Sequence, residues 1–576
     1  MALNIYYDGE CPFCTRYVRL LRLSRVEEVA LIDLRERPAL RKELQAEGFD
    51  LDSGMVVEQD GRRLGGADAI NALALLSTPS DALNRLNRAL LASPLAARII
   101  YPLLRMGRWL VLFLLGRNLM AAGDAAAEAQ RTIFASLFAL FSVFHFMNNM
   151  FEYGRFPPQW DQLAILAAAA LLFFRPASNR ALFLLMLASI VSAIMQAPIG
   201  SNHTMVRNAV LLGYWLSFAV AAIRNKPASA VFSNFAPAGQ GALLVMYVFG
   251  VFHKINSDFL NPATSCAVAL WRLMPAPLSA LDGPMIWYPA IYGTFVIEGA
   301  IMLALLTRRW RHVGVVLGIG FHLLLSLSSY AMYLSFTMLS IALHALFLNG
   351  LATQGVLASR EMRFVRSRMR DPVYLIAAFT LMLSLAALAF SGRYTLATLF
   401  ALPLVLPFCA IILLHGRSLE PLGANGKTAR FVGIVITTLF FLNGTAPYLG
   451  LKSAQSMNMF ANLRLESGVS NHLVFRNPPG PFDYLEKVAV IENSGGDAEL
   501  AWFQQREMGI VYYELLARMS RKPGLRISYS MDGRTYQNVS REDLQPEIAA
   551  TLHHRWIRKW FHFQPASLER PERCNV

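Results

Sequence analysis

Cysteine is scarce in this chain, with five among 576 residues. That excludes the dense disulfide framework of a small secreted domain. Three of the five, Cys266, Cys409 and Cys574, stand isolated in sequence. Histidine is absent before His145, and the pair Cys11 and Cys14 forms the lone CxxC. A tetrahedral zinc site at that pair would lack its other two ligands. Acidic residues are short as well: 38 Asp and Glu face 53 Lys and Arg, a formal charge of +15. There are no repeated halves and no matching pair of broken helices, which weighs against a transporter built from inverted repeats. The opening Asn4-Ile5-Tyr6-Tyr7-Asp8 is strand-like and then charged, unlike a signal peptide.

Long apolar runs are plentiful instead. Eleven lie at 131–151, 160–175, 180–198, 206–223, 235–253, 289–306, 312–329, 331–350, 373–390, 394–414 and 429–450. A hydrocarbon layer of about 30 Å takes roughly 20 apolar residues per helix. The shorter runs suit tilted or re-entrant elements. The run at 235–253 is the weakest, because it contains Pro237, Gly239 and Gly241. With eleven spans, fifteen Lys and Arg fall in loops on one side and five on the other. The positive-inside rule puts the fifteen in the cytoplasm. The expected topology has residues 1–130 cytoplasmic and 451–576 outside, in the inner (cytoplasmic) membrane. Much of the positive charge then orients the protein and meets anionic lipid. A nucleic-acid partner is set aside on that ground.

The first 118 residues read as a small α/β unit. A strand at 4–8 leads through Gly9-Glu10 into Cys11-Pro12-Phe13-Cys14, and then Tyr17, Val18, Leu20, Leu21 and Leu23 recur at helical spacing. Pro12 suits the first turn of a helix. Cys11 falls at the helix N-terminus, where the dipole favours a thiolate, and Cys14 lies one turn on. This is the arrangement of thiol–disulfide exchange, with an exposed attacking thiol and a buried resolving one. An inert pair is the alternative. The runs 29–34, 54–66 and a helix from Ala67 complete the unit. Residues 96–118 are apolar but carry Arg98, Arg105 and Arg108, which fits an interfacial amphipathic helix, or else a twelfth span.

Ionisable groups inside spans draw attention because they are costly there. His145, Glu298, His322 and His344 lie within runs. Asn148, Asn149, Glu152, Asn202, His203, His253 and Lys254 lie at outer ends, so one face gathers them, and His322 is close enough to join. A dehydrated lysine amine can serve as a general base. Each also has a plain reading: Lys254 as a snorkelling anchor, and the histidines as interhelical hydrogen-bonding groups. Glu298 is either a proton-relay group or the partner of an Arg or His.

Two resemblances follow from these strings. Tyr7-Asp8-Gly9-Glu10-Cys11-Pro12-Phe13-Cys14 resembles the motif of the DCC-type thiol–disulfide oxidoreductases, named for the Asp and two Cys matched here by Asp8, Cys11 and Cys14. It extends from residue 4 to about 115 and implies a thioredoxin-like fold served by a cytoplasmic thiol reductant. Ser53-Gly54-Met55 stands where thioredoxins carry a cis-proline. Phe252-His253-Lys254-Ile255-Asn256-Ser257-Asp258-Phe259 resembles a signature of the vitamin K-dependent γ-carboxylase-like (HTTM) membrane fold, and Asn202-His203-Thr204 resembles its second. Gly450-Leu451-Lys452, Met459–Arg464 and Asn471-His472 resemble a third, so the likeness spans roughly 130–475. It implies a reduced quinone (menaquinone or vitamin K-like), with O2 and CO2 as co-reactants. It makes Lys254 the base that deprotonates the quinol, and His203 the group that stabilises a developing anion. Asn202, His253, His322 and Glu298 are the expected cofactor-binding residues; no metal is expected. The 126 residues after 450 are fewer than the lumenal domain of the animal carboxylases, so glutamate carboxylation does not follow.

The tail from 451 becomes soluble-like. Strands are expected at Val488–Glu492 and Ile527–Met531, and a helix at Val511–Met519. His553 and His554 point to different sides of a helix, which disfavours a metal site. The fold class expected is a polytopic α-helical membrane protein of about 11 spans, with an N-terminal thioredoxin-like α/β domain (1–118), an HTTM-like transmembrane domain (131–450) and a small α+β or β-rich C-terminal domain (451–576). The expected function is quinol-dependent oxidative or carboxylating chemistry on an outer-face substrate such as a peptide. The lipid bilayer and the quinone pool are its partners, and the CxxC module supplies or senses reducing equivalents. The alternative is a non-catalytic scaffold or carrier in which only the CxxC works.

Overall fold

A computed structural model describes all residues except 1, 21–27, 53, 79–81, 118, 120–123, 152–156, 199, 331, 349, 369–370, 416–425, 553, 568–570, 572–573 and 575–576. The chain forms two compact units, Met1–Glu128 with Tyr214–Ser233, and Ala129–Gly213 with Asn234–Val576.

In the first unit the sheet runs in the order β2-β1-β3-β4. Its strands are β1 (Ala2–Tyr7), β2 (Glu28–Asp33), β3 (Val56–Gln59) and β4 (Arg62–Gly65). β1 and β2 are parallel, and β3 and β4 are antiparallel neighbours. Helices α1 (Pro12–Leu20), α2 (Pro38–Ala46), α3 (Gly66–Leu76), α4 (Ala82–Leu91) and α5 (Pro94–Leu115) surround it. Pro12, Pro38 and Pro94 each open a helix, where the missing N–H costs nothing. Tyr6, Leu34, Leu44, Leu51 and Val56 form a core on the sheet. The expected elements at 4–8, 29–34, 54–66 and from Ala67 are therefore all present.

Helix α5 is a 22-residue helix with two faces: Arg108, Trp109, Leu112 and Phe113 are buried within the unit, while Leu95, Ile99, Leu103 and Leu114 are exposed. The Trp109 ring packs edge-on to Phe218 at 5.1 Å, and its Nε1–H donates to the Lys226 carbonyl at 2.6 Å. Arg108 is thus a core group of this unit, not part of a lipid-facing polar stripe.

Fifteen helices follow: α6 (Ala125–Phe151), α7 (Trp160–Phe174), α8 (Asn179–Gln196), α9 (Asn202–Ile223), α10 (Ala228–Phe252), α11 (Ser257–Leu260), α12 (Cys266–Arg272), α13 (Pro284–Leu306), α14 (Arg311–Leu325), α15 (Met332–Ala345), α16 (Gly350–Ala358), α17 (Arg360–Arg368), α18 (Pro372–Phe390), α19 (Tyr394–His415) and α20 (Lys427–Thr445). Each of the eleven apolar runs contains a helix among the described residues. Among the described residues, eight helices are long and apolar enough to cross a bilayer. The other three, α7, α14 and α15, have 15, 15 and 14 residues. The run around Pro237 is one continuous helix of 25 residues.

The tail carries a five-stranded sheet in the order β8-β7-β5-β6-β9. These strands are β5 (Val488–Asn493), β6 (Met508–Val511), β7 (Arg526–Met531), β8 (Arg534–Ser540) and β9 (Ala566–Ser567). Helices α21 (Ala498–Gln505), α22 (Tyr512–Met519), α23 (Gln545–Thr551) and α24 (Arg555–Arg558) accompany it. Ala489, Ile491, Ile510, Leu515, Leu516 and Tyr529 are part of its core. Cys266 and Cys574, isolated in sequence, form a disulfide across 308 residues. Spacing along the chain carried no sign of it; the fold brings the C-terminal tail beside α12, where the Cys574 N–H donates to the Thr264 carbonyl at 3.1 Å. His553 lies outside the described residues, and His554 caps α24.

Candidate functional site

The CxxC is built by the turn from β1 into α1. Cys11 donates its N–H to the Asp8 carbonyl at 3.0 Å, and the Cys14 N–H donates to Cys11 Sγ at 3.2 Å. Burial opposes ionisation of Cys11, but its hydrogen bond from the Cys14 thiol, the Cys14 N–H and the Arg108 charge together pull it down to about 6. Cys14 moves the other way, held protonated by its hydrogen bond to Cys11 and by burial. The two thiols are thus held in opposite senses, Cys11 toward the thiolate and Cys14 toward the thiol, which is the asymmetry that thiol–disulfide exchange uses. Cys11 is 0% exposed, so the expectation of an exposed attacking thiol does not describe this structure.

Asp8 is buried between two arginines. Arg35 Nε donates to its Oδ1 at 2.7 Å, and Arg108 Nη2 to its Oδ2 at 2.7 Å. Arg108 also donates to the Asp52 carbonyl. Asp8 thus orients Arg108 toward the thiols. Sequence reading missed Arg108, because a basic residue in an apolar helix reads equally well as an interfacial anchor.

The second site is a cavity of about 330 Å³ in the other unit. Lys254, His203, Asn202, Glu298 and His322 line it, among mostly apolar side chains. Five of the residues singled out from sequence therefore meet in one place. Lys254 sits in the turn after α10, 6% exposed. Its Nζ donates to Glu298 Oε1 at 2.8 Å and to Oε2 at 3.0 Å. The Phe259 ring centre lies 5.9 Å from Nζ. Gly250, one turn before Lys254, leaves room for the carboxylate: a Cβ there would lie 2.8 Å from Glu298 Oε2. The partner of Glu298 is thus a lysine rather than an Arg or His.

His203 opens α9. Its Nδ1 meets Ser201 Oγ at 2.8 Å, and its Nε2 meets Ser335 Oγ at 3.3 Å and His145 Nδ1 at 3.4 Å. Arg207 reaches the far nitrogen of His145 at 3.2 Å. Asn202 accepts the Met457 N–H at 2.9 Å, which ties α9 to the stretch after α20. Met457, Met459 and Phe460 of that stretch line the cavity, as do Tyr247, Trp271 and Tyr333. Met459 and Phe460 fall in the third resembling stretch, Met459–Arg464; Met457, Tyr247, Trp271 and Tyr333 did not stand out in the sequence.

His253 is different. Its Nδ1 meets the Tyr448 hydroxyl at 2.8 Å and its Nε2 the Ser456 carbonyl at 2.9 Å, and it is not in the cavity wall. It fastens α10 to the stretch after α20, so the expected cofactor contact at His253 is not made. Glu152 lies outside the described residues.

Comparison with known proteins bears on the first site alone. Residues 5–113 match the family model described as DCC1-like thiol-disulfide oxidoreductase. The chain carries a DCC1-like thiol–disulfide oxidoreductase domain at its N-terminus. The match ends before the spans, so α6–α20 and the tail rest on their own geometry. No curated protein and no solved structure matches the chain.

Proposed function

We propose that the helical part is a membrane enzyme that uses a reduced quinone, with Lys254 and Glu298 as its acid–base pair, and that the DCC1-like domain is a cytoplasmic thiol–disulfide module of thioredoxin type. The observation that carries this reading is the cavity's mouth. Ile297 of α13, a helix long and apolar enough to cross a bilayer, and Leu324 of α14, a shorter apolar helix, line the cavity, yet they are 40% and 47% exposed. A hollow whose rim is exposed leucine and isoleucine is suited to a ligand arriving from lipid.

The residues fit such a ligand. Walls of Met, Phe, Trp and Leu accept a planar apolar ring, and the polar groups are few and convergent. At about 330 Å³ the cavity suits a ring head, with an isoprenoid tail left in the lipid. A bound reduced quinone would supply two electrons and ionisable ring hydroxyls. Were such a ring bound, Lys254 Nζ and Glu298 would act as one dyad, the carboxylate able to take a proton from Nζ and so leave a free amine in the cavity as the base. His203, beside His145 and Arg207, is suited to stabilise negative charge developing in the cavity. Carbon dioxide use and a peptide substrate on the outer face remain part of this proposal.

The scaffold reading calls for no lipid-facing apolar cavity beside Lys254, and this cavity weighs against it. The decisive experiment is quinol-dependent oxygen uptake in membranes. Lys254→Ala is expected to abolish uptake seen with the unaltered chain; full uptake in the variant overturns the reading.

A further inference from the structure

The C-terminal domain carries an aromatic and basic segment that neither site uses. Trp556, Ile557 and Trp560, in and just after α24, are 53%, 49% and 67% exposed. The Arg555 guanidinium lies 5.5 Å from the Trp556 ring centre, and Lys559 Nζ lies 5.2 Å from it. The backbone here is tied down. Arg558 Nη1 donates to Ser520 Oγ at 3.5 Å, the His562 carbonyl accepts the Ala454 N–H at 3.1 Å, and the Gln564 N–H donates to Ser453 Oγ at 3.1 Å. Two indoles are thus held outward on a fixed segment. An exposed apolar patch rimmed by polar groups marks a contact surface.

What lies beside the segment says what covers it. Lys559 Nζ donates to the carbonyl of Ile194, in the last turn of α8. α8 is long and apolar enough to cross a bilayer, and it exposes Leu184, Leu187, Ile194 and Met195 along its length. The same end of α8 meets the start of α7, where Ser192 Oγ donates to Asp161 Oδ2 at 2.6 Å and Gln196 Nε2 donates to it at 3.3 Å. Trp160, next to Asp161, is exposed as well. Around one helix end, therefore, the exposed side chains change from Leu and Ile to Trp, Arg and Lys. Tryptophan gathers where hydrocarbon gives way to headgroups, and basic residues at that level meet lipid phosphate. We propose that Trp556, Ile557 and Trp560 sit in the headgroup layer at this end of α8, with Arg555 and Lys559 on the phosphates of anionic phospholipid. The C-terminal domain then rests on the bilayer itself. This goes beyond the quinol reading and does not depend on it; it rests on α8 crossing a bilayer.

The test is photolabelling of the unaltered full chain in nanodiscs of equal phosphatidylcholine and phosphatidylglycerol. Each lipid in turn carries a diazirine at the glycerol end of one acyl chain, and adducts are mapped by peptide mass spectrometry. Both probes are expected to label the peptides holding Trp160 and Trp556–Trp560. The phosphatidylglycerol probe is expected to label the second of these more strongly by about fivefold or more, the worth of at least one basic residue at an anionic surface. Arg555→Gln is expected to lower that ratio by about fivefold. Peptides of α8 around Leu184 and Leu187 are the internal measure and are expected to label equally with both probes. Adducts on α8 with none at 556–560 overturn the proposal and leave the surface to a protein partner. Equal labelling of the segment by the two probes overturns the anionic contact. Absence of adducts on α8 as well overturns the span on which the proposal rests.

Discussion

At the scale of single residues, the two sites share one device: a reactive group is buried beside a charged neighbour. For Lys254 the neighbour is Glu298, 44 positions away. Both residues stood out as ionisable groups in apolar sequence, but nothing in the chain says that they touch. Breaking the pair tests its role. Lys254→Ala leaves a buried carboxylate without its cation, and a loss of about 3–5 kcal/mol is expected in a denaturant or thermal series. Lys254→Met with Glu298→Leu is expected to recover most of that stability but none of the oxygen uptake. Recovery of uptake would make the pair structural only. For Cys11 the expected outcome concerns pH. Only the thiolate is alkylated, so its iodoacetamide rate should rise with pH through about 6 and level off near 7. Arg108→Gln removes a stabilising positive charge and should move that rise upward by about one unit. An unmoved profile would show that Arg108 serves only to hold Asp8 and Asp52. Arg108 and His253 also mark what sequence could not tell. An arginine among leucines reads the same whether it faces lipid or a core, and His253 neighbours Lys254 in sequence while its ring faces the opposite partners.

At the scale of elements, hydropathy carried most of the information. Each apolar run contains a helix because an unpaired backbone is costly without water, and only the ends and the lengths were uncertain. Pro237 does not break α10, which continues from Ala228 to Phe252 and so delivers Lys254 to the cavity. The strand–turn–helix of the N-terminal domain was legible for a related reason: alternation, a Pro at the first turn and the Gly-containing hairpin are local signals. What was not legible is how α10 and α13 approach, since that depends on Gly250. Adding one methyl there places carbon 2.8 Å from Glu298 Oε2, inside contact distance. Gly250→Ala is therefore expected to turn the carboxylate away from Lys254 while keeping both residues. Oxygen uptake should fall by about tenfold or more, with menadione affinity nearly intact, because geometric misplacement of a proton-transfer group costs rate before binding. Equal loss of both would mean that the helices themselves had separated.

At the scale of the whole molecule, two independent observations bear on orientation. On the proposed eleven-span topology, the loop count of fifteen basic residues against five would put Lys254, Asn202 and the tail on the side away from the cytoplasm. The Cys266–Cys574 disulfide joins two segments that the count puts on that same side, and disulfides persist in oxidising compartments. Its surroundings reach the cavity: Phe259 and Phe460 pack in the cluster around Cys266 and also line the cavity wall. Cys11 and Cys14 are free thiols, as suits the reducing side. Labelling checks the topology without reference to activity. In intact spheroplasts, a membrane-impermeant maleimide applied after an impermeant phosphine is expected to label Cys266 and Cys574 in the unaltered chain. Cys574→Ser should leave Cys266 open to label without the phosphine. Cys11 is expected to react only once the membrane is permeabilised. Labelling of Cys11 from outside, with Cys266 protected, would invert the orientation and would put the lysine dyad on the cytoplasmic face. An enzyme drawing on outer substrates would then be untenable, whereas a cavity filled from lipid would survive, because its mouth at Ile297 and Leu324 is reached from the exposed sides of α13 and α14.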